Sequence, residues 1–366
     1  MRRAEMDGTS PTVNAHTIPC DHDDGKTSVV ITIDTEPDDA WTNHLNPSVA
    51  NVAGLMRLHT LLDQYGAKAT LLATYRTVQD DKACEVLQTL ASAHGAEIGA
   101  HLHPWETPPF MESGIDAKYA TFPHELPLDV FTQKLRCLTE TITQRLTVPT
   151  SYRAGRWGLA PQHIAVLEAM GYLCDTSVTP WIDWSDTFGV PPSIRGAGGV
   201  DYRRAPLRPY RMDHENVLRE GTAALLEIPV TVGFVRPAPA FVWRTYAFLP
   251  QLPRRLLRKT GLLRPVWALP AQWDGAHLMG MLRSWLACPR GVLNIACHSS
   301  ELTLGASPRS RTNEEVDEIF ARVAAMLAVL AADRSCVFET LSQAARRWTC
   351  NTRRANGEQC LHDDGK

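Results

Sequence analysis

No apolar stretch of the chain approaches the roughly 18 residues that a helix needs to cross a bilayer, so no helical membrane span is expected. Residues 1–26 are polar, carry Asp21, Asp23 and Asp24, and lack the apolar core of a secretory signal. The nine cysteines are an odd number with no Cys-x-x-Cys pair, which disfavours a disulfide framework. Cys174, Cys288 and Cys297 sit instead in apolar runs, as buried reduced thiols of a cytoplasmic protein would. A net charge of −3 gives no general attraction to nucleic acid. No Gly-rich phosphate loop, Ser-centred elbow or nucleic-acid module is present.

What is present reads as a regular alternation. Ser28 to Ile33 is β-branched and apolar at its centre, the pattern of a strand buried on both faces, and it ends in Asp34-Thr35-Glu36. Leu55, Leu58, Leu61 and Leu62 repeat at helical spacing before Gly66. Lys68–Ala73 is the next strand, Asp80–His94 a helix stopped by Gly95, and 97–103 a third strand. The pattern continues through helical 128–146, strand-like 151–154, helical 161–170 and strand-like 172–178. Beyond a loop-rich stretch come strands at 224–232 and 292–297, a capping box at Thr312–Glu315, and a last strand and helix up to about Trp348. This predicts an α/β fold, a single distorted (β/α) barrel of about seven parallel strands. An open doubly wound sheet is the alternative. The barrel would span 27–349 with an insertion at about 233–273, flanked by polar tails at 1–26 and 350–366.

In such barrels the chemistry sits where strands end, and the polar residues of this sequence fall there. Asp34 and Glu36 close the first strand, His101 and His103 the third, Arg153 the fourth, Asp175 the fifth and His298 the last long one. In extended backbone, residues i and i+2 share a face. His101 and His103 therefore converge as metal ligands must, and Glu36 shares the face of Asp34. Isolated His-x-His pairs are more often satisfied by backbone carbonyls; the strand-end company of these two reverses the weighting.

Ile31-Thr32-Ile33-Asp34, Glu97-Ile98-Gly99-Ala100-His101, Tyr152-Arg153-Ala154-Gly155-Arg156, Tyr172-Leu173-Cys174-Asp175-Thr176-Ser177 and Ile295-Ala296-Cys297-His298 follow one another along the chain. In order and spacing they resemble the five motifs of the polysaccharide deacetylase (NodB-homology) family. His101-Leu102-His103-Pro104-Trp105 and His298-Ser299-Ser300-Glu301-Leu302 are similar to a subgroup of deacetylase-like proteins from bacterial polysaccharide gene clusters. The resemblance implies divalent-metal hydrolysis of N-acetyl groups on an amino sugar or polysaccharide precursor. By position it implies Asp34 as base, His298 as acid and Arg153 as the residue orienting the base. Two positions depart from the family pattern. Thr35 stands where a ligand carboxylate is usual, and Trp105 where the second histidine is usual. Glu36 and His103 supply substitutes by the same-face argument, giving Glu36, His101 and His103 as ligands, most simply of zinc. Asp34 as the metal ligand, with another acid as base, is the alternative.

Trp105, Arg156 and Asp175 are the candidate substrate contacts, and Trp157, Trp181 and Trp184 are near them in sequence. Between Glu227 and Asp274 there is no acidic residue but seven basic ones, from Arg236 to Arg264, interleaved with aromatics and leucines. A solvated insertion over the barrel and a peripheral contact through 236–264 with anionic lipid, or with a lipid-linked saccharide, are both readings of this segment. An amidase or deformylase acting on a non-sugar C–N bond and a non-catalytic saccharide-binding barrel are the competing functions.

Overall fold

The computed structural model describes residues 26–259, 261, 263–287 and 291–355. The predicted polar tails fall outside these residues, except that the final helix, Leu341–Ala355, runs past position 349. Cys288 also lies outside them. The strands are β1 (Thr27–Thr35), β2 (Ala69–Ala73), β3 (Glu97–Leu102), β4 (Ser151–Ala154), β5 (Cys174–Asp175), β6 (Tyr210–Asp213), β7 (Asn216–Glu220), β8 (Leu226–Glu227), β9 (Val232–Phe234), β10 (Pro265–Trp267), β11 (Val292–His298) and β12 (Cys336–Phe338).

Seven of these strands pair in parallel in the order β11-β1-β2-β3-β4-β5-β8, with β12 added in parallel to the start of β1, a curled sheet forming a distorted half-barrel. The gap between β8 and β11 is spanned by irregular chain. Thr231 N–H donates to Asn294 O at 3.2 Å, Asn294 N–H donates to Thr231 Oγ1 at 2.8 Å, and Ala296 N–H donates to Ala268 O at 2.9 Å. Burial of β1 on both faces explains its continuous apolar, β-branched centre.

Amphipathic helices cover the outside. Asp81–His94 opens with the Asp80 side chain accepting from Ala83 N–H and ends at Gly95, whose φ of 65° is the left-handed value that glycine tolerates. Leu128–Arg145 buries Phe131, Leu135, Leu138 and Ile142 against the sheet. Asn313–Ala332 begins with the expected capping box of Thr312 and Glu315.

Two strands are far shorter than the apolar runs suggest. In the run 172–178, the Asp175 carboxylate folds back onto Ser177 N–H (2.8 Å) and Ser177 Oγ (2.7 Å), an Asx-type turn that ends pairing. In the run 224–232, Pro229 has no N–H to give to a ladder. The β6–β7 hairpin was not expected. Its turn is set by the Asp213 carboxylate accepting from Glu215 N–H at 2.9 Å.

Two histidines are buried in this scaffold away from the strand ends. Burial lowers the pKa of His59 to about 4 and that of His163, which stacks on Phe131 at 3.7 Å, to about 3. Both therefore stay neutral in the folded chain at pH values where the unfolded chain, titrating near 6.5, binds protons. Stability is full above pH 6.5 and is lost as the pH falls toward 4, by about 2 kcal/mol per histidine at pH 5. Denaturant unfolding at pH 7 and pH 5 should show this loss, and His163→Gln should shrink it. An equal loss in the variant would contradict the assignment.

Candidate functional site

The first parallel strand ends by alternating. Asp34 and Glu36 face the barrel mouth, while Thr35 turns away and donates to Ile33 O at 3.2 Å. β3 delivers His101, and His103 follows two residues on; register pairs His101 with Arg153 on β4, and Asp34 with His298 on β11. Asp34, Glu36, His101, His103, Arg153 and His298 are all buried and gather at one end of the sheet.

His101 Nδ1 lies 3.0 Å from Arg153 O, so that nitrogen carries the proton and Nε2 keeps its lone pair. His103 Nε2 comes to 3.0 Å from His101 Nε2 and 3.4 Å from Glu36 Oε2. Burial lowers both imidazole pKa values, leaving neutral rings. Glu36 is pushed up to about 8 by burial, with Asp34, Glu106 and Glu301 adding to it against His298. One atom from each of Glu36, His101 and His103 lies within 4.8 Å of the others. A crowded carboxylate beside two available imidazole nitrogens is a donor set that a divalent cation fits.

Facing this trio is a second group. Arg153 Nη1 donates to Asp34 Oδ1, and burial, which alone would raise the Asp34 pKa, is outweighed by Arg153, His101 and His298. Asp34 Oδ2 remains 3.8 Å from His101 Nε2 and 3.5 Å from His298 Nε2. His298 is held from behind. Its backbone N–H donates to Glu301 Oε2 at 3.0 Å, and its Nδ1 lies 3.2 Å from the same oxygen. Burial opposes protonation of His298, but Glu301, Glu36 and Asp34 bring its pKa up to about 9. Arg309 closes the chain at 3.2 Å from Glu301 Oε1.

The loop after His103 rests on a buried lysine. Lys134 Nζ donates to Pro104 O (3.0 Å) and Thr107 O (2.6 Å) and pairs with Asp116 at 2.8 Å. This holds Trp105 stacked on His103 at 4.2 Å. Gly155 is required where β4 leaves the sheet, since a Cβ there would lie 2.4 Å from Leu102 O and 2.8 Å from His103 Cδ2. The next two residues, Arg156 and Trp157, hold left-handed backbone at φ 53° and 64°, a conformation that costs energy for non-glycine residues and recurs at ligand sites.

These groups open onto a cavity of about 570 Å³. Its walls include Trp41, Trp105, Trp157, Trp184 and Trp267, together with Arg156 and Arg309. One sequence expectation changes here. Asp175 is fully buried, bonded to Ser177 beside Glu227, and does not reach the cavity as a substrate contact would. Trp181, near the site in sequence, packs on Phe234 at 4.8 Å. Trp41, Trp267, Glu301 and Arg309 were not anticipated in roles. For Glu301 the i, i+3 spacing from His298 was the available signal.

No protein-family model matches the sequence, and no curated protein matches it. Solved structures do. A protein from Mycobacterium smegmatis assigned as a polysaccharide deacetylase superposes with a TM-score of 0.52 over 92% of this chain and 93% of its own, at 19% identity. A protein from Parabacteroides distasonis assigned as a glycoside hydrolase/deacetylase gives a TM-score of 0.55 over 92% of this chain and 73% of its own, at 13% identity. The chain therefore shares the fold of these assigned deacetylases. At these identities the likeness is one of fold, and the chemistry of the chain rests on its own side chains.

If the trio binds a cation, removing its imidazoles removes the ion. His101→Ala/His103→Ala should lose stoichiometric divalent metal in elemental analysis of purified protein, whereas Thr35→Val should retain it. Unchanged metal content in the double variant would place the ion elsewhere.

Proposed function

We propose that the chain is a metal-dependent hydrolase that removes N-acetyl groups from an amino sugar or polysaccharide precursor. One observation carries the reading. Across a single cavity, a Glu/His/His trio faces an aspartate held by arginine and a histidine held by glutamate.

Glu36, His101 and His103 are the residues that hold the ion, and two imidazoles with a carboxylate suit zinc. A divalent ion supplies Lewis acidity and a water that is acidic near neutral pH. Asp34 is the base. Its Oδ1 is committed to Arg153, so Oδ2 is the oxygen free to accept the proton of the attacking water. The same commitment favours Glu36 over Asp34 as the carboxylate ligand. His298 is the acid: Glu301 occupies Nδ1, leaving Nε2 to give a proton to the departing amine. Arg153 positions the base and keeps it ionised.

Flat aromatic faces suit the C–H face of a pyranose, and five tryptophans line the cavity. Arg156 reaches the same space with its guanidinium over the Phe122 ring at 4.1 Å. This lining favours a saccharide over a compact amide. A barrel that only bound sugar would have no use for the buried supports Arg153 and Glu301.

Activity on N-acetylated chito-oligosaccharides, measured before and after chelation, tests the class. Within it, His298→Ala should lower kcat by about 10²–10⁴-fold while metal content and melting temperature hold. Full turnover in a well-folded His298→Ala would remove the acid role. A variant that loses thermal stability but keeps its turnover per folded molecule would make His298 a tie for the Ser299–Glu301 turn.

A further inference from the structure

Away from the cavity, exposed apolar side chains concentrate in one segment. Phe241, Phe248, Leu252 and Leu256 are 66%, 67%, 77% and 65% exposed. All four lie between β9 and β10. Leu252 and Leu256 stand four residues apart on the helix Gln251–Lys259 and so share a face. From 228 to 273 the chain has no acidic residue and seven basic ones. Of these, Arg236 and Lys259 are exposed, Arg254 is half-buried, and Arg264 is half-buried against His277 at 2.7 Å, while the side chains of Arg244, Arg255 and Arg258 lie outside the described residues. Arg204 adds a further cation, 5.5 Å above the Phe248 ring.

We propose that this segment is a docking surface for an anionic lipid bilayer. Protruding Phe and Leu side chains among cations are what an interfacial element presents to the boundary between headgroups and acyl chains. Among the described residues no helix is long and apolar enough to cross a membrane, so the contact lies in the plane of the interface. Charge decides between a bilayer and a second copy of the chain. Self-pairing would set two acid-free basic faces against each other, whereas an anionic leaflet attracts every cation on the face, roughly fivefold in affinity for each.

The segment is rooted beside the cavity. β9 and β10 pair antiparallel with Trp267 opposite Val232, and Trp267 lines the cavity 6.0 Å from Trp184. Behind the exposed side chains, Phe234, Trp243 and Tyr246 pack on Trp181. Docking through the exposed residues therefore brings the cavity mouth close to the bilayer. None of this depends on what the cavity binds.

Cosedimentation of the full chain with phosphatidylcholine vesicles, with and without about 30 mol% phosphatidylserine, tests the proposal. The wild type should partition to the anionic vesicles at least tenfold more strongly than to neutral ones, and added salt should weaken the binding. Leu252→Glu/Leu256→Glu and Arg254→Glu/Lys259→Glu should each lower partitioning by tenfold or more with unchanged melting temperature. Leu252 and Leu256 are exposed, so folding does not require them. Wild-type protein that stays in the supernatant with anionic vesicles overturns the proposal without recourse to any variant. So does undiminished binding by Leu252→Glu/Leu256→Glu. A concentration-dependent dimer that this variant abolishes, with no vesicle binding, would assign the face to a second copy instead.

Discussion

The arrangement depends on one buried ion pair, Arg153 with Asp34. Neither charge has solvent to fall back on, and a buried charge is tolerated only when it is paired and hydrogen-bonded. The barrel interior meets that condition. Arg153 Nε donates to Thr176 O at 3.0 Å, and Nη2 donates to Thr32 Oγ1 at 2.8 Å. Thr32 donates to Asn294 Oδ1 at 2.9 Å, and Asn294 Nδ2 donates back to Thr176 Oγ1 at 2.8 Å. Strands β1, β4 and β11 and the end of β5 are thus joined by side chains as well as by their ladders. A polar network satisfied throughout fixes register and geometry together. The Asp34 carboxylate is aimed because the guanidinium that holds it is itself fixed on several sides.

The same logic recurs one layer out. His101 is oriented by a main-chain carbonyl, His298 by Glu301, and the His103 loop by Lys134. His101 and His298 are thus each held by a hydrogen-bond partner behind the ring, whereas the His103 ring is held by its stacking on Trp105. That is the condition for a pre-organised site, in which ligand binding need not first order the side chains it meets.

Much of this was legible in the sequence, and for identifiable reasons. Strand alternation placed Asp34 with Glu36 and His101 with His103, because a period of two holds wherever backbone stays extended. Helix stops at Gly66 and Gly95 and the Thr312 cap were readable because their chemistry is local. The long-range partners were not. Asp175 looked like a strand-end site residue but turned onto Ser177, a competition between side chain and ladder that periodicity does not register. Lys134 sits in the middle of an amphipathic helix, where a lysine ordinarily reads as a solvated face. Its burial follows from Pro104 and Thr107 carbonyls that approach only in the folded chain. Trp267 comes from the far edge of the insertion and joins the wall through the β9–β10 pairing.

The adjacency of β1 and β11 also has a meaning in time. The Thr32–Asn294 bond spans 262 residues, so the two strands that carry Asp34 and His298 meet only after nearly all of the chain between them exists. During synthesis, Glu36, His101 and His103 emerge early, on strands that neighbour one another through β2. Contacts so distant in sequence are slow to form, because closing the loop costs entropy before any pairing rewards it. A nascent chain can therefore hold the proposed ligands Glu36, His101 and His103 together with Asp34, the proposed base, while His298, the proposed acid, does not yet exist.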